Sequence, residues 1–346
     1  MTVARRELGH AARHARVRAE AGEAVRLIAE ELGERDEAAL PDKRLELLFV
    51  CAHPAIDPAA RSPLMLQTVL GLDAARIASA FLQAPATMGQ RLVRAKARIR
   101  EAGLAFELPE AADLPARLDA VLEAIYAAYG SGWDDIAGSD PRRRGLAEEA
   151  IWLARLLAAR LPDEPEALGL LALMLHCEAR RHARRDAAGR FVPLAEQDAR
   201  RWLAPMVVEA ERTLERAVTL RRIGRFQLEA AIQSAHAQRP ITGRMDWPRV
   251  LRLYEALAQL APTVGALVGC AAAAGQADGP DAGLARLDAL PATAVAAYQP
   301  YWALRADLLV RAGRPAEAAD AYRRAMGLTE DPAVRAFLAG RLAAPG

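Results

Sequence analysis

Aromatic side chains make up only 5% of this 346-residue chain, and lysine occurs at Lys43 and Lys96 alone. So few aromatics, with no convincing stretch of alternating apolar and polar residues, argue against a sheet protein. Three cysteines, Cys51, Cys177 and Cys270, are scattered and odd in number, which excludes a disulfide framework and suits a reducing, cytoplasmic setting. No apolar run is long enough to span a bilayer, and the N-terminus lacks the apolar core of a signal peptide, so no membrane role is expected. Missing too are a phosphate-binding glycine loop, a nucleophile elbow and a His-Glu-x-x-His pair. The reading is therefore of a protein that is not an enzyme, with no catalytic residue, no cofactor and no metal.

What is abundant is alanine, leucine and arginine, in a chain that is 53% hydrophobic. That is helix-forming composition, and it predicts an all-α protein. Residues 1–35 read as one long helix, or two joined near Gly22. A polar stretch with Pro41 follows, then short apolar segments alternate with turn signals from Leu45 to Leu104. The stretch "ELPEAADLP" (107–115) reads as a linker. Beyond it everything reads as helix pairs. Tyr254 and Tyr322 lie two 34-residue tetratricopeptide periods apart, and Trp302, Gly313, Ala318, Tyr322 and Ala325 fall at intervals similar to that repeat's consensus. Ala150, Leu157 and Pro162 give a looser echo.

One segment stands out. "ATMGQRLVRAKARIR" (86–100) carries five basic residues in a chain whose formal net charge is only +2. On a helix, Met88, Leu92, Ala95 and Ile99 form a narrow apolar stripe that faces a core. Thr87, Arg91, Arg94 and Arg98 share a neighbouring face, and Lys96 and Arg100 flank the other side. Before it lies a short helix, "AARIASAF", with Asp73 placed to cap it and Ile77, Ala78 and Phe81 apolar at helical spacing. "LQAP" then turns the chain into the basic helix. A short helix, a brief turn and a longer cationic helix describe a helix-turn-helix over 73–102. Its guanidiniums suit phosphates, and threonine, glutamine and arginine near its start suit base edges.

The stretch "LDAARIASAFLQAPATMGQRLVRAKARIREAG" closely resembles region 4 of extracytoplasmic-function sigma factors, the promoter-recognition subunits of bacterial RNA polymerase. The likeness continues through "PDKRLELLFVCAHPAIDPAARSPLMLQTVLGL" upstream. Downstream it runs through "LPARLDAVLEAIYAAY", "ARLLAARLPDEPEALGLLALMLHCEARRHARRD" and "WPRVLRLYEALAQLAP". This combination is similar to the subgroup in which region 4 precedes a helical, tetratricopeptide-like C-terminal domain.

The resemblance implies three parts: the end of region 2 and a linker helix at 1–35, region 4 at 36–106, and the C-terminal helical domain at 107–346. It implies contacts to promoter DNA from Thr87, Gln90, Arg91 and Arg94, with Lys96 and Arg98 on phosphates. The implied partners are promoter DNA, the RNA polymerase core and a regulatory protein or peptide on the C-terminal domain.

The match departs from the family in places. Most of region 2 is expected before the first helix, and the chain opens at "MTVARRELGHAARHARVRA". Arg76 stands where an acidic residue is usual, "YGSGWDD" (129–135) replaces an Asn-Glu-Gly-Tyr segment, and Val268 and Gly269 replace asparagine and arginine. Two rival readings remain. An enzyme would need "LHCEARRHARRD" to gather ligands from His176, Cys177, Glu178, His182 and Asp186, which are expected instead to be polar side chains solvated on the surface; Cys51 and His53 are expected in a buried turn. A protein-interaction scaffold or transcription modulator, without initiation activity for want of region 2, is the stronger rival.

Overall fold

The computed structural model describes residues 40–80, 83–104, 109, 113–133 and 145–343. The helix expected over 1–35, the side chain of Arg76 and Phe81 lie outside the described residues. Among the described residues the fold is all-α: helices account for the regular structure, and the one extended pairing is an isolated antiparallel bridge between Arg185 and Phe191. No described helix is long and apolar enough to cross a membrane. The chain forms two compact units, the first reaching Pro162 and the second beginning at Asp163.

Unit 1 starts with α1 (Leu40–Cys51), whose Leu45, Leu47, Leu48, Phe49 and Val50 are all buried, so the helix is enclosed on nearly every side. A tight turn follows. Its His53 Nδ1 accepts from the Ala55 N–H at 3.1 Å, while Arg61 Nε donates to the Ile56 carbonyl at 3.1 Å. Helix α2 (Pro58–Thr68) begins where the Asp57 carboxylate accepts from the Ala59 N–H, with Pro58 at the first position, which has no N–H to lose. Helices α3 (Ala74–Ala80) and α4 (Pro85–Ala102) pack on each other, and both pack on α2. Two longer helices, α5 (Leu114–Trp133) and α6 (Leu146–Arg160), complete the unit, α5 lying against α2 and α1. The compact unit that holds the region-4-like segment thus extends beyond the 107–115 linker. Arg44 of α1 pairs with Glu149 of α6 in its interior, both side chains nearly sealed from solvent, and the guanidinium lies 4.0 Å above the Trp152 ring.

Unit 2 is built of helix pairs: α7 (Pro165–Ala179) with α8 (Ala204–Thr219), α9 (Arg225–Thr242) with α10 (Trp247–Leu260), and α11 (Val264–Ala277) with α12 (Pro280–Asp288). After the single turn α13 (Ala292–Val295) come α14 (Gln299–Arg311) with α15 (Pro315–Gly327), and last α16 (Pro332–Ala343). Helix α7 also packs along α9. They approach closely because Gly169 has no side chain: a Cβ there would sit 2.6 Å from the Gln227 backbone nitrogen. The first turn of α9 contains no acid of its own, and Glu166 of α7 supplies one, accepting from the Phe226 and Gln227 N–H groups at 3.0 and 3.1 Å.

Ala318, Tyr322 and Ala325 lie in the core of α15, and Gly313 takes the left-handed conformation that turns α14 into it, with φ +72°. Tyr254 fills the notch beside Gly269, where a Cβ would fall 2.3 Å from its ring. No larger residue enters at 269 unless Tyr254 moves. One stretch breaks the expected run of helix pairs. Residues 180–203 form three short 3-10 turns and a hairpin closed at Gly189.

Candidate nucleic-acid interface

Helix α4 has no side-chain cap at Ala84, but Pro85 presets its first turn and Arg100 sits in its last, where a cation complements the helix dipole. It ends at Gly103, φ +57°, with the Gly103 N–H on the Arg100 carbonyl and the Leu104 N–H on that of Ile99. Those two bonds are the Schellman closure, and they fix where the helix stops. The stripe read from the sequence is the buried one: Met88, Leu92, Ala95 and Ile99 are at most 5% exposed.

The remaining surface divides by angle. At 100° per residue, Gln90 and Ala97 point directly away from the stripe, with Val93 on one side of them and Arg94 on the other. Thr87, Arg91 and Arg98 form one flank; Lys96 and Arg100 form the other. Thr87, Gln90, Arg94 and Arg98 are exposed. Among the described residues Arg94 reaches its own helix, donating from Nε to the Gln90 carbonyl at 3.4 Å, and Arg98 lies 3.8 Å from Glu101 with both side chains more than half exposed. Such a pair is worth little in water and leaves the guanidinium free to exchange it for phosphate.

Arg91 leans back to the Ala59 carbonyl of α2 at 3.3 Å. Lys96 is half-buried, close enough to the sealed Cys51 to act on its thiol. Burial pushes that thiol up to about 12, against the opposing pull of Thr68 and Lys96. The six proposed contacts therefore do not share one edge: Thr87, Gln90, Arg94 and Arg98 form a continuous open surface, Arg91 braces it, and Lys96 turns to the other side. Val93, 67% exposed, belongs to that surface and was missed. Its position on the side away from the stripe was the available signal. An open depression of about 600 Å³ runs along Gly89, Gln90, Val93 and Arg94.

The residues weighed for an enzyme are dispersed. His176 and Glu178 are buried rather than solvated, because α7 is enclosed by α8 and α9, and His176 Nε2 is left without a hydrogen-bond partner there. His176 Nε2 is 3.6 Å from Glu211 Oε1, and Glu178 accepts from Arg181. Burial raises the Cys177 thiol against the nearby Arg180. Asp186 closes the hairpin, accepting from the Ala188 and Arg190 N–H groups and from the Arg190 guanidinium; these Arg190 bonds hold its carboxyl below the usual range. His182 is exposed. Among the described residues no three histidine, cysteine or acidic side chains are placed to hold a metal.

Residues 117–218 match the model of a family of unknown function, DUF6596. The chain is 40% identical over 309 residues to an uncharacterized protein of Rhizobium meliloti (strain 1021), a match covering 89% of this chain and 73% of that protein. The chain belongs to the same family as that rhizobial protein. No solved structure matches it.

Proposed function

We propose that this chain is a sigma-factor-like transcription initiation protein that is not an enzyme and works in the cytoplasm. Helices α3 and α4 act as a helix-turn-helix on promoter DNA, RNA polymerase core is the second partner, and unit 2 is a regulatory domain. The observation that carries the reading is the division of α4: a sealed apolar stripe on one side and, on the other, an open face of Thr87, Gln90, Val93 and Arg94 edged by Arg98. A helix seated in the major groove needs that division, with neutral and bidentate groups toward the bases and cations toward both phosphate rims.

The test is binding of the full chain to duplex DNA, measured by fluorescence anisotropy across a salt series. Arg94→Ala with Arg98→Ala should weaken binding and flatten the salt dependence by about two phosphate contacts. Lys96→Ala should do less, since Lys96 lies off that edge. Binding indifferent to Arg94 and Arg98 would refute the reading. It would favour the scaffold alternative, which has its own support in the helix pairs of unit 2, an architecture suited to holding a protein or peptide.

A further inference from the structure

After α7 the chain abandons helix pairs for residues 185–202 and runs to the far end of unit 2. Arg185 pairs with Asp331 at the start of α16, 146 residues away. Phe191 meets Phe337 of α16 edge-on, ring centroids 5.3 Å apart. Further along, Arg239 of α9 donates to the carbonyls of Leu194, Ala195 and Gln197. One guanidinium therefore reads main chain, one acid reads a guanidinium, and one ring receives a ring. Extended peptides are commonly held this way, main-chain bonds giving affinity and a few pockets giving selectivity.

The segment is lightly anchored. Gln197 is the one residue of 185–202 that is buried. Three enclosed polar atoms in it lack a hydrogen-bond partner: Arg185 Nη1, Gln197 Oε1 and Trp202 Nε1. Segments with little apolar burial and unmet polar groups open at small free energy. Few fully buried contacts would be lost if it lifted away.

We propose that residues 185–202 are a displaceable strap, and that the surface they cover on α9 and α16 is a docking site for an extended partner segment bearing an arginine followed, at the spacing of Arg185 and Phe191, by an aromatic residue. Complementarity favours that occupant, because Asp331 already pairs with Arg185 of the strap and Phe337 already packs on its Phe191. The inference concerns unit 2 alone and stands or falls independently of DNA binding by α4.

The test uses the full chain and a fluorescein-labelled peptide with the sequence of residues 184–198. Arg185→Ala with Phe191→Ala releases the strap, and that variant should bind the peptide at least about tenfold more tightly than the unaltered chain. Adding Asp331→Asn should cancel the gain. Asparagine still caps α16, where Asp331 accepts from the Ala333 N–H at 2.9 Å, but it lacks the charge that Arg185 sought. Equal peptide binding by all three proteins, or dimerisation of the released variant without peptide uptake, would overturn the proposal. Hydrogen exchange on the unaltered chain decides the matter should the released variant fail to fold. The Val192, Gln197 and Trp202 amides should exchange at least about tenfold faster than those of α9, and equal protection would likewise overturn it.

Discussion

Acid should loosen unit 2 well before its carboxylates protonate, because two histidines are held neutral there. His176 on α7 is 4% exposed, and burial, reinforced by Arg180, pulls its pKa from 6.5 to about 4 even though Glu211 stands 3.6 Å away. His236 on α9, set edge-on to Trp247, is lowered to about 4 by burial and by Arg180 and Arg239. In the unfolded chain both titrate near 6.5, so between that value and 4 the unfolded state binds more protons than the fold. Stability is therefore complete above pH 6.5 and is lost as the pH falls towards 4. At about 1.4 kcal/mol per pK unit, each fully buried histidine withdraws about 2 kcal/mol by pH 5. His236 is half-buried and solvent screening trims its share, giving roughly 3 kcal/mol for the two together. Urea unfolding followed by circular dichroism at pH 7 and pH 5 measures this directly. A His176→Gln, His236→Gln variant should lose the dependence. A chain whose stability is the same at the two pH values, or a double variant that weakens as much as the unaltered chain, would refute the reasoning.

Glu149→Ala should cost about 3–5 kcal/mol by leaving the Arg44 guanidinium enclosed without its charge partner, and thermal unfolding of unit 1 reads it. Glu149→Gln should cost less, since the amide oxygen still accepts from Arg44. In unit 2, Glu166→Ala should cost about 1–2 kcal/mol by uncapping the Phe226 and Gln227 N–H groups, seen as a lower urea midpoint at unchanged pH dependence.

Local features were the legible ones. The stripe of α4 follows from a 3.6-residue period, its end from Gly103, and the cores of α15 and α6 from Ala318, Tyr322, Ala325, Ala150 and Leu157. Features set by distant partners were hidden. His176 and Glu178 look like surface residues in "LHCEARRHARRD", yet α8 and α9 cover them. Arg185 and Phe191 find Asp331 and Phe337 across most of unit 2, which no local pattern encodes. Within α4 the wheel places Lys96 on a flank, but only the fold shows that its charge bears on Cys51 at the end of α1. The prolines of 107–115 suggested a boundary there. The structural boundary falls at Pro162 because α5 and α6 complete the core of α1 and α2.

That boundary bears on what the family match describes. Residues 117–218 begin within α5 and end within α8, crossing from unit 1 into unit 2. On the first side of the crossing, α5 rests on α2, and Glu149 waits for Arg44. On the second, Gly169 and Glu166 are shaped for the start of α9, and the strap reaches Arg239, Asp331 and Phe337. Every one of those partners lies outside 117–218. The matched stretch is therefore a length of chain whose apolar faces and interior charges are completed from both sides, not a unit that packs by itself. It contains the strap and omits α4. A role for the matched stretch alone is accordingly better sought in the surface of unit 2 that the strap covers, while DNA binding, if α4 performs it, is added by the helices that precede it.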